Sequence, residues 1–208
     1  MASQIDEGTV QKALSWAYDK AVNGIAGMDS AIELAEDYLQ EDGSLSEQVD
    51  ALIRWQNAKC ATSGFITNLG GLITLPVAIP ANMASTLYVQ IRMIAAIAYM
   101  GGYDLKNNKV RDFVYLCLCG NEVKDILKKF SIELGRALTK QAIKNISIST
   151  INQINRMVGM KLVTKFGEKS LISLGKGVPI IGGLIGGTID GIACNTIGNV
   201  AKEMFINK

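Results

Sequence analysis

Two charges stand inside long apolar stretches of this chain, and they are the first residues to weigh for chemistry. Arg92 is the single charge among the 44 positions between Lys59 and Asp104. Asp190 sits in the run "KGVPIIGGLIGGTIDGIAC", residues 176–194, which Lys176 opens and which has five glycines in the ten positions from Gly182 to Gly191. A carboxylate and a guanidinium in apolar company either neutralise each other or orient the head group of a ligand. The chain has no histidine. That removes the commonest general base, the commonest metal ligand and the Ser-His and Cys-His nucleophile pairs. An enzyme would need Asp190 or Asp104 with Lys176 or Arg92 as its acid–base pair, and no spacing supports one. No catalytic residue, metal site or cofactor is expected.

Other chemistries fare no better. Cys60, Cys117, Cys119 and Cys194 include no Cys-x-x-Cys pair, so zinc-ligand spacing is absent. With no signal peptide at "MASQIDEGTVQKAL", they read as reduced cytosolic thiols, packed as small apolar side chains. "SLGKGVP" and "FGEKS" lack the phosphate-loop pattern, and "GKGVPIIGG" has the wrong spacing for a dinucleotide fingerprint. The lysine-rich middle lacks interleaved aromatics, so nucleic acid is not an expected partner.

The elements that position Arg92 and Asp190 are helical. "EGTVQKALSWAYDKAV" and "DSAIELAEDYLQEDG" carry apolar residues at helical spacing and form an acidic N-terminal hairpin, residues 1–43, within the same domain as 44–208. Ser44-Leu-Ser-Glu47 is a capping box opening a third helix. Pro76 and Pro80 bar an unbroken helix through "NLGGLITLPVAIPANMAS". "TLYVQIRMIAAIAYMGG" is a strong helix ending at Gly101-Gly102. It is apolar all round from Met93 to Met100, which places it deep in a core or in lipid. Amphipathic helix is expected over about 106–146, with Val123, Ile126, Leu127, Phe130 and Leu134 on one face, followed by a helix over "STINQINRMVGMKLVTKF". The class is all-α, a compact multi-helix bundle with the glycine-rich C-terminal helix packed against the central apolar one.

On that last helix Gly182, Gly183, Gly186, Gly187, Asp190, Gly191 and Cys194 share one half of the wheel. They strip side chains from a face and let a partner approach closely. Each glycine costs about 1 kcal/mol of helix propensity relative to alanine, so close contact must offset it. The partner is the Arg92 helix, joined by an Arg92–Asp190 salt bridge, or a second molecule; self-association through the same face is open.

Charge is divided along the chain. Residues 1–50 have eleven acids and two lysines, whereas 51–208 have nineteen bases and eight acids. Arg156, Lys161, Lys165 and Lys169 fall on one basic stretch and are the expected membrane-surface residues. Anionic lipid attracts roughly 1 kcal/mol per surface base. A spanning segment needs about 20 apolar residues, and prolines, asparagines and Asp190 interrupt both candidates, so lying on a membrane is preferred to crossing one. The leading expectation is a non-enzymatic protein, cytoplasmic and peripheral at the inner face of the membrane, whose partner is lipid or an integral membrane protein. The alternatives are a soluble carrier of a small apolar ligand such as a lipid, or a hydrolase.

The blocks "GGLITLPVAIPANMASTLYVQIRMIAAIAYMGGYDL" and "INQINRMVGMKLVTKFGEKSLISLGKGVPIIGGLIGGTID" resemble the EcsC family over about residues 50–205. The order Leu-Pro-x-x-x-Pro, Gly-Tyr-Asp, Val-Pro-x-x-Gly-Gly carries the likeness. The resemblance implies a bacterial, helical protein on the cytoplasmic side of the membrane, in a family named for a protein encoded beside ABC-transporter genes. It supplies no catalytic residues.

Overall fold

The computed structural model describes residues 5–25, 27–61, 81–134, 139–175 and 183–206; the side chains of 60–61, 81–82, 167–175 and 183–192 lie outside that description. Its helices are α1 (Glu7–Asn23), α2 (Ala31–Leu39), α3 (Leu45–Ala61), α4 (Ala81–Met100), α5 (Asn108–Cys117), α6 (Val123–Lys128), α7 (Lys140–Asn145), α8 (Ile148–Gly175) and α9 (Gly183–Phe205), with a 3-10 turn at Gly120–Glu122. Among the described residues there is no strand, only an isolated bridge between Ile25 and Met28. The all-α expectation holds.

Local chemistry sets the early helix ends. The Asp6 carboxylate accepts the Thr9 amide at 2.7 Å to cap α1, and Gly24 ends it at φ 82°. Ser30 and Glu33 form a reciprocal capping box on α2. The expected box on α3 is present: Glu47 accepts the Ser44 amide at 2.7 Å, and Ser44 Oγ accepts the Glu47 amide at 3.4 Å. Each such cap satisfies backbone donors that the first helical turn leaves unpaired.

The centre of the molecule is α4. Met83–Met100 is long and apolar enough to cross a bilayer, yet 89% of it is buried against the rest of the chain. Of the two settings for a helix apolar all round, the protein core is the one found. α1, α2, α3 and α9 all pack on it, and the apolar residues of the acidic hairpin, Val10, Leu14 and Leu34 among them, belong to the same core.

α9 lies against both α4 and α3. Its described half shows why small residues are needed there. A Cβ added at Gly198 would stand 2.9 Å from Ile53 Cγ2 and 3.3 Å from Met93 Sδ. One turn on, Lys202 Nζ meets Asp50 Oδ1 at 2.6 Å. Residue numbers rise on one helix as they fall on the other, so α3 and α9 run antiparallel. Gly101 is closed in similarly, since a Cβ there would fall on the Phe205 carbonyl oxygen.

Two expectations need correction. The amphipathic stretch after Asn121 is not one helix: α6 stops at Lys128, and Ser131 adopts φ 56°. The Ile132 amide then donates to Leu127 O at 3.1 Å and the Ser131 amide to Lys128 O at 3.0 Å, the paired closing bonds of a left-handed helix terminus. Val123, Ile126 and Leu127 are buried as expected, whereas Phe130 and Leu134 only flank the core. Nor are all four cysteines thiols. Cys117 and Cys119 are free, while Cys194 is disulfide-bonded.

Candidate functional site

The sequence-predicted residues fall into three groups. Arg92 is 2% exposed. It donates to the Asp29 carbonyl at 3.1 Å and to Gln56 Oε1 at 3.2 Å, and its guanidinium stands 5.7 Å from the centre of the Tyr88 ring. These partners let a buried cation tie the turn before α2 to α3 and α4. The expected counter-ion, Asp190, has its side chain outside the described residues. Lys176 and Gly182 also lie outside them, and Gly183, Gly186 and Gly187 stand in the first turns of α9. The third group is the basic face of α8. Arg156 is exposed, Lys161 and Lys165 share a face one turn apart, and the Lys169 side chain lies outside the described residues.

Lys161 and Lys165 open onto a cleft of about 670 Å³ between α8, the end of α5 with its 3-10 turn, and α9. The cleft follows from where helices stop. α5 ends at Cys117, and Gly120, at φ 57°, turns the chain beneath α9, within 3.4 Å of Thr196 for an added Cβ. The turn keeps α5 from filling the space beside α8. Leu118, Leu162 and Ile197, each 1% exposed, form the floor. Met157 and Met160 form one wall, and Met160 remains 58% exposed. Lys129, Lys161 and Lys165 stand around the rim.

Lys161 is paired across the cleft's edge. Lys161 Nζ meets Glu122 Oε2 at 2.6 Å, and this hydrogen bond and charge hold the ammonium above its ordinary range. The pair is exposed on both sides, so solvent screens it and it is readily exchanged. Burial, and then the Glu122 charge, push the Cys119 thiol up to about 12. A thiol there stays protonated at neutral pH and is a poor nucleophile. Among the described residues no group of three His, Cys, Asp or Glu side chains could hold a metal ion. The cleft thus combines an apolar floor with a border of lysines and the Glu122 carboxylate.

Lys129, Glu122, Met157 and Met160 were not among the residues the sequence singled out. The signal for α8 was present, since Met157, Met160, Lys161 and Thr164 recur at helical spacing with apolar and cationic members mixed. The contribution of Lys129 depends on the break after α5 and α6, which periodicity alone does not give.

A helical bundle wrapped around one buried apolar helix, with a lysine-rimmed cleft on its flank, defines the class of protein. The sequence model of the EcsC protein family matches residues 9–206. The chain belongs to that family, and the match takes in the acidic hairpin that the sequence blocks had left aside. No curated protein and no solved structure matches it.

Proposed function

We propose that this protein binds an anionic amphiphile, an acidic lipid foremost, in the cleft beside α8, and that it acts as a peripheral protein at a membrane surface. The carrying observation is the cleft itself: an apolar floor of Leu118, Leu162 and Ile197 beneath Lys129, Lys161 and Lys165. An acyl chain would cover the floor and the exposed Met160, and the lysines would meet the head group. About 670 Å³ lies in the range of pockets that bury most of a small ligand, so the cleft suits a head group with part of a chain. Acidic lipid adds about 1 kcal/mol per nearby lysine, and the Lys161–Glu122 pair can open to release its share.

Vesicle flotation of the purified chain tests this reading. Binding is expected to vesicles containing phosphatidylserine or phosphatidylglycerol, absent with phosphatidylcholine alone, and weakened by salt as exposed charges are screened. Equal flotation with neutral vesicles, or none with either, would sink it.

A further inference from the structure

The lysines of the cleft beside α8 come from two elements. Lys161 and Lys165 stand one turn apart on α8 and share a face, while Lys129 enters from the end of α6. The charges of Lys161, Lys165 and Glu122 all act on the Cys119 thiol, which gathers the three around one residue of the cleft wall. Among the described residues α9 lines the cleft with Ala193, Thr196 and Ile197 and brings no charge to it. Three ammonium groups thus stand against one carboxylate in the lining. We propose, resting on the lipid reading above, that the head group this cleft selects is a phosphate monoester carried on an apolar tail, as in phosphatidic acid.

Charge and oxygen count separate the candidate head groups. A phosphodiester, as in phosphatidylglycerol, has one negative charge and two terminal oxygens, so it leaves part of the positive lining unanswered. A serine head group also brings an ammonium among the lysines, which repel it. A phosphate monoester has three terminal oxygens and, at neutral pH, a charge of about −1.5 to −2. It can meet an ammonium with each oxygen and balance the excess charge of the lining, through charge-assisted bonds of the stronger kind. Glu122 opposes every anion, but its contact with Lys161 is exposed on both sides. Such a pair contributes little, so a doubly charged phosphate displaces it at small cost. The apolar floor of Leu118, Leu162 and Ile197 favours a monoester on a lipid over a free phosphate, which would leave that floor uncovered.

Flotation at neutral pH tests this, with phosphatidylcholine vesicles holding about 10 mol% phosphatidic acid or about 20 mol% phosphatidylglycerol, whose surface charges match once the monoester is fully ionised. The phosphatidic acid vesicles are expected to bind about fivefold more tightly or better, one further lysine's share of binding to acidic lipid. Lys129→Gln, at an exposed position, should bring the two near parity. Glycerol 3-phosphate, the same monoester without tails, should not displace the protein at a concentration equal to that of the vesicle lipid.

The pH dependence gives a second readout. The chain has no histidine, the side chain that ordinarily titrates between about pH 5 and 8. Lys129, Lys161, Lys165, Glu122 and Cys119 line the cleft, with Asp125 acting on Lys161 from outside the lining, and burial pushes the Cys119 thiol up to about 12. The monoester itself takes on its second charge at about pH 6, so binding to phosphatidic acid should strengthen from about pH 5.5 to about 7.5 while binding to phosphatidylglycerol stays level. Equal binding of the two matched vesicles, a preference untouched by Lys129→Gln, a level pH profile for phosphatidic acid, or displacement by glycerol 3-phosphate would each overturn the monoester assignment. If phosphatidylglycerol vesicles still bound better than phosphatidylcholine alone, the broader lipid reading would stand without it. Binding to neither acidic vesicle would sink both.

Discussion

Replacing Gly198 by alanine puts a methyl group into the seam between α3, α4 and α9. On a free helix the change would stabilise by about 1 kcal/mol through backbone propensity. Here the new Cβ arrives 2.9 and 3.0 Å from two carbons of Ile53 and 3.3 Å from Met93 Sδ. Ile53 is 2% exposed and Met93 fully buried, so neither can swing into solvent. Overpacking of this kind costs about 1–3 kcal/mol. Set against the propensity gain, the net is about 0–2 kcal/mol of destabilisation, or a fall in Tm of up to about 8 °C at this chain length. Removing the obstacle should reverse the sign. In an Ile53→Ala background, itself costly by about 2–5 kcal/mol, the same Gly198→Ala change should stabilise by about 1 kcal/mol. Urea melts of the wild type, both single variants and the double variant give the coupling, expected at about 1–3 kcal/mol. If Gly198→Ala stabilised equally in both backgrounds, the seam would not be closed as described.

Three further outcomes follow from the same geometry. Gly101→Ala should cost more than Gly198→Ala, because the obstructing atom is the Phe205 backbone oxygen rather than a side chain; thermal melts of the two variants rank them. In the native state Cys119, pushed up to about 12 by burial, should react with a thiol reagent roughly a thousandfold more slowly than in urea, since each unit of pKa lowers the thiolate population about tenfold; Cys117, wholly buried, should be slower still. Burial raises the Asp112 pKa above 3.8 against the opposing effects of Asn155 and Arg111. The folded state then holds that proton more tightly than the unfolded one, and its contribution to stability falls as pH rises through the window above 3.8. Asp112→Asn should therefore gain stability relative to wild type between acid and neutral pH, as denaturant melts across that range would show.

How much of this could be read from the sequence depends on whether the signal is local. The Ser44–Glu47 box needs only four residues, and it forms where the pattern places it. The burial of α4 follows from its composition, although composition alone left core and bilayer open; four packed helices settle it. Gly198, which closes on Ile53 of α3 and Met93 of α4, was not on the glycine face that the sequence singled out, and the side chains of that face up to Gly191 lie outside the described residues. Sequence failed where the backbone does something its residue type does not announce. Ser131 takes a left-handed conformation that glycine usually marks, so α6 ends within a run of good helix formers. The cleft depends on that region and on the turn at Gly120, so Lys129 and Glu122 escaped notice while Lys161 and Lys165, on one helix face, did not.

Charge reversal inside the lysine-rimmed cleft, compared with an equal reversal elsewhere, is the most direct test of the proposed lipid binding. Lys129→Glu with Lys165→Glu alters the rim, while Lys12→Glu with Lys106→Glu makes the same change in net charge at exposed positions outside it. Flotation with acidic vesicles should be lost in the first pair and kept in the second. Equal loss in both would mean that overall charge, not the cleft, holds the protein to lipid, and retention in both would mean that acidic lipid does not bind there.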